Sequence, residues 1–307
     1  MKKWGNKRYY SLDYHYKKIF GKKVYKLSID AGFTCPNRDG KVSHGGCIFC
    51  SEGGSGENAG ERKYSVTQQI LDQKEFIKSK YNDGAYIAYF QAFTNTYANI
   101  DYLRKVYYEA LNNPDIVGIS IATRPDCLDT DVLDLINEIS RIKKVWIELG
   151  LQTIHDKTAK IINRGYKYNT FLDAINKLSK LNIEVCVHLI LGLPYETLDD
   201  MKESLLAMNK INIHGIKLHL LHIIKNTKLE KIYNDNKITT FEMKEYAEFI
   251  IWCITHLRDD IVIHRLTGDG IKESLVAPLW SLRKIDVLNY IDHNLKVRNL
   301  YQGCEYE

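Results

Sequence analysis

The chain has 307 residues, enough for one large domain with a substantial core. Its composition, 45% hydrophobic and 26% charged, is that of an ordinary folded protein and excludes collagen-like, disordered and coiled-coil classes. Lys and Arg total 43 against 38 Asp and Glu, a net charge of +5 that suits a polyanionic partner without requiring one. No apolar run approaches the roughly 18–20 residues of a spanning helix, and no apolar stretch follows the basic N-terminus as in a signal peptide. A cytoplasmic protein without membrane contact is expected. Seven Cys, odd in number and unevenly spaced, do not make a secreted disulfide framework.

Residues 1–23 form a basic, aromatic lead. Counted to residue 26, it holds Lys2, Lys3, Lys7, Arg8, Lys17, Lys18, Lys22, Lys23 and Lys26 against one acid, Asp13, with Trp4, Tyr9, Tyr10, Tyr14 and Tyr16 between them. Such a mixture can hold phosphates and stack on unpaired bases, or it can be a solvated face whose aromatics pack on the domain. Strands are expected at 24–30, 86–90, 117–122, 145–149, 184–191, 215–221 and 261–265. Amphipathic helices are expected near 66–81, 101–112, 130–139, 155–180 and 199–210. In the fourth of these helices Phe171, Leu172, Ile175, Leu178 and Leu181 recur at helical spacing. Thr197 or Asp199 is placed to cap the last of them, and Asn99 or Asp101 the second. Strands alternating with helices imply βαβ units and a mainly parallel sheet. Without a Gly-rich fingerprint after the first strand, an incomplete barrel is favoured over a dinucleotide-binding fold. The organisation expected is the lead, a core barrel over 24–270, and a C-terminal extension over 271–307.

Directly after the first strand, Cys35, Cys47 and Cys50 fall within sixteen residues of a loop rich in Gly, Asn and Asp, the last two as C-x2-C. Thiolates this close select zinc or an iron–sulfur cluster. His44, inside the loop, offers the fourth ligand of a Cys3His zinc site. The other reading is a [4Fe–4S] cluster held by three cysteines, with one iron open to a ligand. A loop at the carboxyl end of a barrel strand stands where reactive loops stand.

On these residues the sequence resembles a radical S-adenosylmethionine (SAM) enzyme. It is similar to the subgroup that holds the Elongator catalytic subunit and the oxygen-independent coproporphyrinogen oxidases, with the first cysteine gap widened to eleven residues. Phe49 matches the aromatic such enzymes place against the adenine. Ile121-Ala-Thr-Arg-Pro-Asp126, Glu148-Leu-Gly-Leu-Gln-Thr153, Asn163-Arg-Gly165 and Leu189-Ile-Leu-Gly-Leu-Pro-Tyr-Glu196 match later motifs in order. The resemblance implies a partial (β/α)6-type barrel, a [4Fe–4S] cluster on Cys35, Cys47 and Cys50, and S-adenosylmethionine. SAM contacts are implied at Phe49, Glu148, Gln152, Arg164, His188 and Gly192, with Arg164 on the SAM carboxylate. Two segments differ from the relatives. Tyr89-Phe-Gln-Ala-Phe-Thr-Asn95 replaces a GGE segment, leaving Gln91 or Thr94 to receive the SAM amino group, and His188 stands where relatives carry an acid.

The implied chemistry is reductive cleavage of SAM to a 5′-deoxyadenosyl radical, with a reductant such as flavodoxin or ferredoxin. Lys217 and His219 alternate on one strand face, and His264 and Arg265 end the next strand, so these four are the candidates to face the substrate. The tail resembles a branch of tRNA-modifying enzymes that act on a wobble-uridine side chain, such as a carboxymethylaminomethyl group. The alternatives are a radical SAM enzyme with a small-molecule substrate such as a tetrapyrrole, and a zinc-stabilised nucleic-acid-binding module.

Overall fold

A computed structural model describes residues 3–54, 56, 59–80, 84–268 and 270–306; Lys2 of the lead and Tyr81 of the second expected element lie outside them. In chain order the elements are α1 (Leu12–Phe20), β1 (Val24–Ile29), α2 (Val66–Lys78), β2 (Ala85–Phe90), α3 (Ile100–Leu111), β3 (Ile116–Thr123) and α4 (Thr130–Ser140). Then come β4 (Lys144–Gln152), α5 (Asp156–Ile161), α6 (Tyr168–Lys180), β5 (Glu184–Leu191), α7 (Leu198–Met208) and β6 (Gly215–Leu220). The last third holds β7 (Ile223–Ile224), α8 (Lys228–Asn234), α9 (Met243–His256), β8 (Val262–Arg265), β9 (Leu275–Ala277) and α10 (Lys284–Val297).

Strands β1 to β6 and then β8 pair in that order, every pair parallel. In a flat sheet β2 and β6, four places apart, would stand about 19 Å from each other. Instead Lys217 Nζ on β6 lies 3.1 Å from Tyr89 Oη on β2, so the sheet curls into the open barrel expected from the alternation. Side chains alternate across each strand. On β2, Tyr86, Ala88 and Phe90 belong to the apolar core beneath the outer helices, while Ile87 packs with Trp146 and Tyr89 enters the lumen network.

Helix starts follow local chemistry. Asn99 caps α3 and Thr197 caps α7, the latter in a reciprocal capping box with Asp200. The single helix expected over 155–180 is two, because Asn163 (φ 55°) and Gly165 (φ 87°) turn the chain left-handed between α5 and α6.

The lead packs on the barrel. Helix α1 starts on the Ser11 side chain, ends at left-handed Gly21, and touches both β8 and β1, the two edges of the open sheet. The Ile263 amide donates to Tyr10 O, and Tyr16 packs on Ile87 and Trp146 with Val24 and Val117 beside them. These contacts lie near the amino ends of the strands. The lead therefore plugs the end of the barrel opposite the cysteine loop. Trp4 and Tyr9 are buried, Lys7 pairs with Asp292, Arg8 donates to Asn299, and Lys26 points into the lumen.

Candidate functional site

The cysteine loop follows the carboxyl end of β1 and is held by its own backbone and by the turn after α5. Arg38 N donates to Cys35 O (2.8 Å), Gly46 N to Asn37 O (2.8 Å) and Cys50 N to Cys47 O (3.1 Å). Asn163 Nδ2 donates to Gly46 O (2.8 Å), Ser43 Oγ donates to Asn163 Oδ1 (3.2 Å), and Asn37 Nδ2 donates to Asn163 O (2.5 Å). A side chain at Gly165 would put its Cβ 2.7 Å from Val42 and 2.8 Å from Asn37, so glycine is needed for this closure. Asn163 and Gly165 thus position the loop that carries the thiols.

Cys35, Cys47 and Cys50 open onto one cavity of about 550 Å³. The Cys47 thiol is pushed well above the usual range, first by its neighbour Cys50, then by burial, with Cys35 adding to it and Arg124 opposing it. Arg124 Nη1 lies 4.0 Å from Cys35 Sγ, and Asn37 Nδ2 lies 3.6 Å from Cys47 Sγ. A thiol held protonated by a neighbouring thiol and by burial is relieved by binding a metal as the thiolate. Among the described residues no three Cys, His, Asp or Glu gather closely enough to hold a single metal ion. His44 is exposed, crosses over Gly40, and is not in the cavity wall, so the loop does not form the Cys3His arrangement. A cluster asks less of the ligands, because each thiolate binds a different iron.

Phe49, Gln91, Thr94, Glu148, Gln152, Arg164, His188, Lys217, His219 and Arg265 all line the same cavity. Two residues expected there do not. Gly192 turns left-handed (φ 88°) beside Phe241, lining a second cavity with Tyr195 and Glu196. His264 stands one layer below Arg265, against Gly215, both facing inward because the β6–β8 register shifts between Ile216 and Lys217; burial holds the His264 pKa well below the usual value, and it is not in the cavity wall.

The floor is built around Glu148, which has no exposed surface. Its Oε1 receives Lys26 Nζ and, at 2.9 Å, Ser120 Oγ. Its Oε2 receives Lys217 Nζ, Tyr89 Oη (2.9 Å) and His188 Nε2 (2.8 Å). With five donors it is fully engaged within the protein, and a direct ribose contact is not what the geometry favours. Burial alone would raise its pKa, but Lys217, Lys26 and the His188 hydrogen bond outweigh that and hold it well below the carboxylate range. Burial lowers the Lys217 pKa to about 8, with Glu148 opposing and Lys26 assisting. Burial and Lys217 lower His188 to about 4, so its imidazole is neutral at pH 7.

Arg164 is almost wholly buried. Nε donates to Tyr166 O (3.0 Å), and Nη1 donates to Leu151 O (2.5 Å) and Thr153 O (2.6 Å). Nη2 makes no hydrogen bond and stands 3.6 Å from Asp156 Oδ1, which leaves one donor for a ligand. Tyr166 lies between the guanidinium groups of Arg164 and Arg124, 4.6 and 4.8 Å from its ring centre, and donates to Gly150 O and Gln152 Oε1. Arg124 is itself clamped by Asp126. Gln91 accepts from Ser28 Oγ (3.1 Å), while Thr94 is tied by its backbone to Thr34 O.

Sequence reasoning did not single out Lys26, Tyr89, Ser120, Arg124 or Tyr166 as site residues. Alternation on β1 and β2 carried a signal for the first two, since Lys26 and Ser28 share a strand face, as do Ile87 and Tyr89. Nothing in the sequence pairs Tyr166 with two arginines.

Two family models match the chain: the radical SAM superfamily over residues 35–208 and the radical SAM C-terminal domain over 213–297. The chain is 46% identical over 297 residues to the uncharacterized protein YtqA of Bacillus subtilis, covering 97% of this chain and 92% of the relative. It is 23% identical over 175 residues to the tRNA uridine(34) acetyltransferase of Methanocaldococcus infernus, which spans 53% of this chain and 32% of that protein. The solved structure of the archaeal Methanocaldococcus infernus Elp3, lacking its N-terminus, superimposes with a TM-score of 0.68 at 15% identity. That likeness of fold covers 91% of this chain and 64% of the other.

Proposed function

The chain belongs to the radical SAM superfamily, and from that premise we propose that it modifies tRNA, acting on a wobble-uridine side chain such as a carboxymethylaminomethyl group. As a radical SAM enzyme it uses a [4Fe–4S] cluster and S-adenosylmethionine. The observation that supports a tRNA substrate most directly is the likeness, over 53% of the chain, to a protein described as a tRNA uridine(34) acetyltransferase.

The donor set fits the two cofactors: three thiols, with Cys47 pushed up by its neighbour Cys50, and one buried guanidinium nitrogen without a hydrogen bond, all on one cavity. Cys35, Cys47 and Cys50 would hold the cluster and leave one iron open to the amino and carboxylate groups of SAM. The chemistry these groups supply when bound is reductive cleavage to a 5′-deoxyadenosyl radical, with the electron drawn from flavodoxin or ferredoxin. Arg164 Nη2 is the donor for the SAM carboxylate, and its other nitrogens hold it in place through three carbonyls. Phe49 offers its ring to the adenine while resting on the small apolar cluster of Ile48, Leu221 and Leu229. Gln152, Gln91 and Thr94 are the remaining polar candidates for the ribose and the amino group. His188 and Glu148 act one step back, by fixing the floor.

At the mouth, the Arg38 and Arg62 guanidinium groups lie 5.3 and 5.2 Å from the Phe93 ring centre, and Lys41 lies over Tyr97. Cations on aromatic rings around an open cavity suit phosphates flanking an unpaired base. Nucleoside profiling of tRNA from cells with and without this protein tests the proposal. Loss of the protein is expected to accumulate the carboxymethylaminomethyl uridine. An unchanged profile under anaerobic and aerobic growth would refute it.

A further inference from the structure

The charges of the cavity wall do not balance. Among the described lining residues Glu148 is the only carboxylate, against Arg38, Arg124, Arg164, Lys217 and Arg265. Glu148 is already spent on two lysines, Lys217 and Lys26. Arg124 is neutralised by Asp126, whereas Arg265 has no hydrogen-bond or ion-pair partner among the described residues. Arg265 ends β8 and pairs in register with Lys217 on β6. His219, two residues further along β6, has a buried Nε2 without a hydrogen bond and packs its ring against His188, 5.1 Å between centres. An unpaired guanidinium, a buried imidazole nitrogen and an ammonium therefore share the β6–β8 wall. The candidate SAM contacts come from β1 to β5 and the loops that follow those strands, on the other part of the curl. SAM cannot balance this wall, since it brings a sulfonium and an ammonium against one carboxylate.

We propose that Arg265, with His219 Nε2 and the Lys217 ammonium beside it, receives an oxyanion carried by the reacting group of the substrate. This rests on reading the cavity as the substrate site, and under the tRNA reading it assigns these side chains to the carboxylate of the carboxymethylaminomethyl group. A guanidinium and a carboxylate meet through two parallel hydrogen bonds, which fixes the side chain's orientation as well as its charge. A site built to hydrogen-bond a charged group discriminates strongly against an analogue lacking it, because its donors are then left buried and unpaired.

The test is equilibrium binding to the anaerobic, cluster-loaded enzyme with SAM present, and is independent of tRNA. Three probes are compared: 5-carboxymethylaminomethyluridine, its neutral carboxamide, and uridine 5′-monophosphate. The carboxylate is expected to bind roughly 10- to 100-fold tighter than the carboxamide, the factor expected for a charge-assisted hydrogen bond. Arg265→Gln should erase that preference, and Arg265→Lys should restore part of it. Iron and sulfide content equal to wild type shows that each variant has folded. Equal binding of carboxylate and carboxamide by the wild type, or an undiminished preference in Arg265→Gln, overturns the proposal. Tighter binding of the monophosphate than of the carboxylate, lost in Arg265→Gln, supports the oxyanion site and assigns it to a phosphate. An unchanged tRNA profile alongside a retained carboxylate preference would refute the tRNA reading while leaving the oxyanion site standing.

Discussion

Replacing Glu148 by Gln isolates the floor of the cavity from its cofactors. The substitution keeps the volume and one acceptor oxygen, but puts an amide where three donors now converge or where Lys26 and Ser120 do. Lys217, already lowered to about 8, sheds its proton near neutral pH once the carboxylate charge is gone. Its share is then limited to about 1.4 kcal/mol for one pH unit. Lys26, 16% exposed at its side chain, keeps its charge and loses a charge-assisted hydrogen bond of about 1.5–3 kcal/mol. Together these give a loss of about 3–4 kcal/mol, within the range for orphaning a buried ion pair. For a chain of this length that is a fall in Tm of roughly 5–6 °C. Anaerobic thermal unfolding at fixed scan rate measures it. Removing the orphan as well, in Glu148→Gln with Lys217→Met, should recover part of the loss, since contacting residues are not additive. A single variant melting within about 1 °C of wild type, or a double variant whose losses simply add, would refute the assignment of Glu148 as the hub.

The same floor predicts acid sensitivity. The folded chain keeps His188 neutral down to about pH 4, whereas the unfolded chain takes up that proton below its ordinary value of 6.5. Stability is therefore lost as pH falls from 6.5 to 4, and Glu148, held below its ordinary value, adds a further loss below about pH 4.5. His188→Gln should flatten Tm against pH between 6.5 and 4, and an unchanged slope would argue against a neutral buried imidazole. Alanine at Cys35, Cys47 or Cys50 should abolish iron loading and SAM cleavage, whereas His44→Ala should retain both; zinc in the wild type and metal loss in His44→Ala would favour the zinc reading. Because α1 sits opposite the mouth, charge reversal at Lys17, Lys18, Lys22 and Lys23 should leave the salt dependence of tRNA binding unchanged. Reversal at Lys41, Arg62 and Lys228, whose ammonium lies beside Gly45 of the cysteine loop, should weaken binding and flatten its log–log slope. The opposite pattern would restore the lead as the binding arm.

The elements of the barrel were legible in the sequence because each is specified locally. β-branched runs with alternating faces marked the strands, 3.6-residue periodicity marked the helices between them, and Asn99 and Thr197 marked two starts. The three cysteines and the ordered motifs were legible for the same reason, being contiguous or nearly so. Helix α1 was not expected, although Ser11 and Gly21 bracket it and Leu12, Tyr16 and Phe20 recur at helical spacing, because nine residues are too few for that period to stand out from the basic, aromatic composition around it. Its position depends on the barrel being open: a seam between β1 and β8 exists only after seven strands have paired, and the lead fills it. The division of Asn163-Arg-Gly165 into two loop-positioning residues and one guanidinium likewise needed the fold, since the partners of Asn163 and Gly165 in the cysteine loop lie more than a hundred residues away. So did Glu148. Its sequence neighbours say only that an acid faces inward; His188 comes from the adjacent strand, and curling the sheet is what brings Lys26, Tyr89 and Lys217 onto the same carboxylate. Periodicity and spacing carry what short-range sterics and hydrogen bonds enforce. Which charges meet, and which are left without a partner, is decided by the curl of the sheet, because only that curl brings distant strands within the few ångströms at which a buried charge must be answered.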